Sequence, residues 1–127
     1  ITFDGYTYNT VDIGDQCWLQ ENLRNEHFAD GDPIPYIQVG SGYSTTSNPA
    51  HTYLEDATSL NTLSFAGRFY NSFAARSPKN VCPSGWHVPT DEEWTALETY
   101  LGANGHSGAE GTALKSTSGW NSGGKAT

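Results

Sequence analysis

Four histidines, two cysteines and an excess of carboxylates are the groups with which this chain could do chemistry. His27, His51, His87 and His106 are the candidate bases. A serine or cysteine nucleophile needs such a base held beside it, and none of the four lies in a nucleophile-elbow or triad context. His87, between Trp86 and Val88 in a segment stiffened by Pro83, Gly85 and Pro89, reads as a packed, hydrogen-bonded side chain. Paired acids for glycoside hydrolysis must face each other across a cleft; the chain has many acid pairs, and nothing singles one out. The expectation is a protein without catalytic residues, not an enzyme. Asp30 and Asp32, with neighbouring carbonyls, could offer hard oxygen ligands to calcium. The same Asp30-Gly31-Asp32-Pro33 run is also an ordinary turn former, because Asp and Gly favour turns locally. No other cofactor is expected.

Cys17 and Cys82 are the only cysteines. Two cysteines without close Cys or His partners do not make a zinc set. In an exported chain they are expected to pair, closing a long loop worth about 4 kcal/mol in the chain-entropy account. The alternative is two buried thiols.

The composition sets limits on class. With 127 residues the chain can build one small domain around one core. Only 35% of residues are hydrophobic, yet 13% are aromatic, so rings must carry much of the burial. Trp18, Trp86, Trp94, Phe69, Phe73 and Leu97 are the expected core. The net charge of −8 and the scattered bases Arg24, Arg68, Arg76, Lys79, Lys115 and Lys125 exclude nucleic acid as a natural partner. No run is long and apolar enough to span a membrane. A chain that starts at Ile1 and contains no Met is expected to be a processed or partial product. Abundant Gly, Ser, Thr and Asn with few charges suggest a polar, loop-rich surface of the kind seen on secreted proteins.

The elements that must position these groups are short. Asp4-Gly5 predicts a two-residue hairpin between Ile1–Phe3 and Tyr6–Tyr8. Val11 and Ile13 alternate with polar neighbours, and Gly14-Asp15 turns into Gln16–Leu19. Asp30–Tyr36 predicts a turn and then an extended piece. Residues 38–63 form a long loop, ordered by Tyr43, Tyr53 and Leu54. Phe65, Phe69 and Phe73 at four-residue spacing predict a short helix within 64–76, ended by Ser77-Pro78. Thr90 and Glu93 form a capping box before the apolar positions Trp94, Leu97, Tyr100 and Leu101. Asp91, Glu92 and Glu93 suit the positive end of that helix, and Gly102 is its expected stop. Residues 102–127 are again rich in Gly, Ser and Thr, broken by Leu114 and Trp120.

Gly14–Leu23, Asp30–Tyr36, Gly67–Asn71 and Cys82–Trp94 together resemble blocks of the Fibrobacter succinogenes major paralogous domain family, in the right order. The resemblance implies an α+β fold: a small antiparallel sheet with two short helices and long ordered loops, similar to C-type lectins and formylglycine-generating enzymes. It covers residues 1 to about 120 and treats 1–127 as a single domain. Members of the family continue past Trp120-Asn121 with a Gly-, Phe- and Trp-rich half, so it also implies strands that lie beyond Thr127 or come from elsewhere. The cysteines used by the oxidases of that fold have no match in Cys17 or Cys82. At Trp120-Asn121, Ser122 stands where the lectin calcium motif has an acid.

The family occurs on exported bacterial proteins. The function implied is therefore a non-enzymatic extracellular or cell-surface domain for structure or adhesion, plausibly a fibre subunit. Its partners would be copies of itself, joined by strand exchange or sheet-edge pairing with residues 1–13 as donor. The alternative is a monomeric lectin-like module for glycans or proteins, with calcium as an optional ligand.

Overall fold

The computed structural model describes residues 1–53 and 66–115. These fall into two compact units: residues 1–11 with 18–88, and residues 12–17 with 89 onward.

The first unit begins with a hairpin. Asp4 and Gly5 both take positive φ, 49° and 76°, the backbone a two-residue primed turn requires. β1 (Thr2–Phe3) and β2 (Tyr6–Thr7) therefore pair Thr2 with Thr7 and Phe3 with Tyr6. The hairpin is docked by Tyr8, which is 1% exposed and whose hydroxyl accepts the Arg24 amide at 3.1 Å. The Arg24 guanidinium lies 3.9 Å from the centre of the Tyr6 ring. Within residues 1–13, expected as a strand donor, β1 and β2 are thus paired with each other.

β3 (Thr10–Ile13) and β4 (Gln16–Leu19) pair around Gly14-Asp15. Farther on, the Asp30–Pro33 turn closes a narrow ribbon. The Phe28 amide donates to the Asp32 carbonyl at 2.8 Å and the Ile34 amide to the Glu26 carbonyl at 2.7 Å. Phe28 and Ile34 enter the core with Ala74, Val81 and Cys82, flanked by Leu23, Tyr70 and Trp86. Burying Phe28 and Ile34 contributes roughly 1.5–3 kcal/mol each. Asn25, also buried, satisfies its amide by donating to the carbonyls of His27 (2.6 Å) and Val81 (3.0 Å). The Tyr70 hydroxyl donates to the Asn25 carbonyl at 2.7 Å, which closes the polar account of this core.

The expected 64–76 helix gives way to other structure. Phe69–Tyr70 is a strand, β6, antiparallel to β5 (His51–Thr52), and helix resumes only over Ser72–Ala75, α1. Gly67 explains the change. Its φ is +67°, and a Cβ there would stand 2.7 Å from the Leu23 carbonyl oxygen and from the Asn22 Cβ. A backbone contact that close, with the Arg68 amide donating to the Leu23 carbonyl at 2.9 Å, overrides the four-residue spacing. Asn71 then caps α1, its side-chain oxygen accepting from Ala74 at 2.9 Å and from Ala50 at 3.1 Å. Phe69 and Phe73 are consequently 44% and 46% exposed, not core. Phe65, and residues 54–63 of the loop expected over 38–63, lie outside the described residues, as do Trp120 and everything after Lys115.

In the second unit α2 spans Asp91–Leu101 with the expected capping box. The Glu93 amide donates to Thr90 Oγ1 at 3.3 Å, and the Thr90 amide to the Glu93 carboxylate at 2.8 Å. Leu97 and Leu101 are buried, whereas Trp94 is 45% exposed and so is not core. Among the described residues of the same unit two features pack on α2. These are the hairpin tip, where Gln16 donates to the Glu93 carbonyl at 3.0 Å, and a close approach of Gly14 to the Tyr100 ring. The α-helix ends at Leu101 with Gly102 as its cap residue, as expected, but Gly102 does not reverse the chain. It keeps helical dihedrals and opens a wider turn over Gly102–His106, which reverses at Gly105 with φ 94°. A four-residue helix, α3, follows over Glu110–Ala113.

The architecture is a mixed α+β one, with three separate two-stranded sheets and three helices among the described residues, where a single small sheet and two helices were expected. Trp18 is half-buried, and Trp86 is half-buried against the core of the first unit.

Candidate functional site

A cavity of about 300 Å³ opens in the first unit. β5 and the segments around it build it. The His51 amide donates to the Pro35 carbonyl at 2.9 Å and the Ile37 amide to the His51 carbonyl at 3.0 Å, which sets Tyr36 beside His51 in a parallel bridge. His51 and Tyr53, two residues apart on an extended chain, face the same side and both line the cavity. The Tyr36 and Tyr53 rings stack with centroids 5.1 Å apart and planes 25° apart, and Tyr36 is 42% exposed. Offset stacking of this kind contributes about 0.5–1.5 kcal/mol beyond burial.

Arg68 organises the opposite side. Its side chain is nearly buried, and its Nε donates to the Arg24 carbonyl at 2.8 Å. One terminal nitrogen pairs with the half-exposed Glu26 carboxylate, and the other approaches His51 Nδ1 at 3.4 Å. A guanidinium only donates, so His51 Nδ1 must be the acceptor and Nε2 carries the proton. Burial, reinforced by the neighbouring Arg68 charge, pushes the His51 pKa down to about 4, so the ring is neutral near pH 7.

His27, also at the cavity, has the opposite tautomer. Its Nδ1 lies 2.8 Å from Asp4 Oδ1, and the other Asp4 oxygen accepts the Glu26 amide. Burial works to raise the Asp4 pKa, but these hydrogen bonds hold it below the usual carboxylate value. An ionised carboxylate can only accept, so His27 donates from Nδ1. The site thus combines an aromatic wall, a mutually compensating Glu26–Arg68 pair, a His51 ring that donates from Nε2 and a His27 ring fixed by Asp4. Pro33 and Ile34 also line it, and among the described residues its lining includes no serine, cysteine or lysine.

The other candidates stand elsewhere. The expected Cys17–Cys82 disulfide is not formed. Cys17 is exposed, and Cys82 is buried in the core of the first unit. Burial pushes the Cys82 thiol up to about 11, which keeps it protonated and a poor partner for thiol exchange. Asp30 Oδ1 accepts the Asp32 amide at 3.0 Å, and Asp32 pairs with Lys79. The run therefore serves its turn, and a cation there would have to displace a lysine. Among the described residues no three His, Cys, Asp or Glu side chains gather as a metal site, and no helix is long and apolar enough to cross a membrane. His87 is exposed. Tyr36 and Glu26 were not singled out in the sequence. The usable signal was the alternation His51-Thr52-Tyr53 with the Pro-fixed Tyr36.

Fold and site together define a small α+β domain with a tyrosine-walled polar pocket. A model of the Fibrobacter succinogenes major domain matches residues 11–127, and the chain belongs to that family. No curated protein and no solved structure matches it.

Proposed function

We propose that this chain is a non-enzymatic bacterial extracellular or cell-surface domain, of C-type-lectin-like fold, that serves adhesion through the pocket between Tyr36, His51 and Arg68. The pocket is the observation that carries the reading. It presents an exposed aromatic face beside hydrogen-bonding groups already oriented by their neighbours, as recognition sites do. Among the described residues no serine, cysteine or lysine lines it, and both histidine Nδ1 atoms are committed to structural partners. The extracellular placement rests on family membership and the polar, weakly charged composition, since no disulfide argues for it.

The test is retention of the purified chain on bacterial cell envelopes, with and without chelator, compared with Tyr36→Ala. Retention that Tyr36→Ala abolishes supports the reading; equal retention of both overturns it. Loss of retention in chelator would bring calcium back into the site.

A second reading, assembly of copies into a fibre, is favoured by the β1–β2 hairpin, a sheet of two strands whose outer edges have no strand partner among the described residues. Strand exchange would first have to open the Thr2–Thr7 pairing. Filaments in electron micrographs of concentrated protein would support it, and uniform monomers would refute it.

A further inference from the structure

We infer that the ligand of this pocket is an uncharged saccharide ring, stacked on Tyr36 and held by Glu26, His27 and His51; this rests on the recognition reading above. Three features select the class. First, the charges at the lining are paired: Glu26 lies against Arg68 and His27 against Asp4, while His51 is buried beside the guanidinium. A charged ligand would leave a net charge in a partly desolvated site, which is costly. Second, the hydrogen-bonding groups are mixed. The Glu26 carboxylate, paired with Arg68, accepts, His51 Nε2–H donates, and His27, held through Nδ1 by Asp4, offers its second ring nitrogen for hydrogen bonding. Hydroxyl groups both donate and accept, so adjacent hydroxyls on one ring can satisfy all three. Third, the 42% exposed Tyr36 ring offers an electron-rich face to the polarised C–H groups of a sugar. A cavity of about 300 Å³ is at the small end for ligand sites, which suits one ring or the end of a chain.

The experiment is an amide-resolved NMR titration of the full chain. The probes are the methyl glycosides of glucose, galactose and mannose, with glucuronate and glucosamine as charged comparators. Saturable shifts at Glu26, His27, His51 and Tyr53 are expected with at least one neutral glycoside. The charged sugars are expected to bind about tenfold more weakly or worse. Tyr36→Ala is expected to weaken binding by about tenfold, and Tyr36→Phe, which keeps the ring, to stay near the native affinity. Tighter binding of glucuronate or glucosamine, or no saturation by any neutral glycoside, overturns the inference. Envelope retention that depends on Tyr36 without neutral-sugar binding would refute this ligand class alone. Envelope retention indifferent to Tyr36 would refute the recognition reading itself.

Discussion

His51 gives the sharpest stability test, because its neutral ring is built into the contact with Arg68. Its pKa in the fold is about 4 against 6.5 for a free imidazole. Between those values the unfolded chain binds a proton that the folded chain refuses, so stability falls as the pH drops through this window. A difference of about 2.5 units is worth at most about 3.4 kcal/mol, of which about 3 kcal/mol is lost between pH 7 and pH 4. Below pH 4 both states are charged and this contribution levels off. Other groups titrate here too. Asp4 and Glu21 have depressed pKa values, and their contributions are also lost toward acid. The variant His51→Gln separates them, since its amide oxygen can still accept from Arg68 but cannot titrate. Urea unfolding at pH 7, 5.5 and 4 should show the native chain losing about 3 kcal/mol more than His51→Gln over that range. Parallel pH dependence in the two proteins would refute the assignment of a buried neutral imidazole.

Three further outcomes follow from local geometry. Thr90→Ala removes the acceptor for the Glu93 amide and should cost about 1 kcal/mol in thermal or urea unfolding. Glu93→Ala on top of it should cost less than its own single effect, because the two halves of the box act together. Gly67→Ala places a Cβ 2.7 Å from the Leu23 carbonyl oxygen at positive φ, and should destabilise by more than about 2 kcal/mol by the same measurement. Native protein should show one thiol reacting quickly with a labelling reagent, at exposed Cys17, and a second only after denaturation, at buried Cys82; a mass unchanged by labelling under denaturing conditions would show a disulfide instead.

What could be read ahead of the structure was local. The Thr90–Glu93 box spans three residues, and the Asp4-Gly5 turn needs only its own two dihedrals, so both are written in adjacent residues. Leu97 sits where the helical period puts it. The aromatics misled because ring spacing says nothing about what covers the rings. Phe69 and Phe73 satisfy a helical period, yet Gly67 admits the Asn22–Leu23 backbone and draws residues 68–70 into pairing with β5. Trp94 shares the helical face of Leu97 one turn nearer the N-terminus of α2, yet it is 45% exposed where Leu97 is buried. The cysteines misled for a related reason. Their pairing was argued from compartment, whereas burial of Cys82 depends on Phe28, Ile34 and Ala74 closing around it.

The pocket was the least legible part because no short motif contains it. Its organiser, Arg68, touches three places distant in sequence: the Arg24 carbonyl, the Glu26 carboxylate and the His51 ring. Each contact constrains the next. Arg68 remains charged, and burying that charge requires the carboxylate and carbonyl. The remaining guanidinium nitrogen fixes the His51 tautomer, which leaves Nε2–H as the donor. On the other side Asp4, held in a left-handed turn, orients His27 and engages the Glu26 amide in the same carboxylate. The hydrogen-bonding character of the site is therefore set by groups that need never touch a ligand. A scan for catalytic or metal-binding spacings misses such a site, because each residue's role exists only through partners that the folded chain supplies.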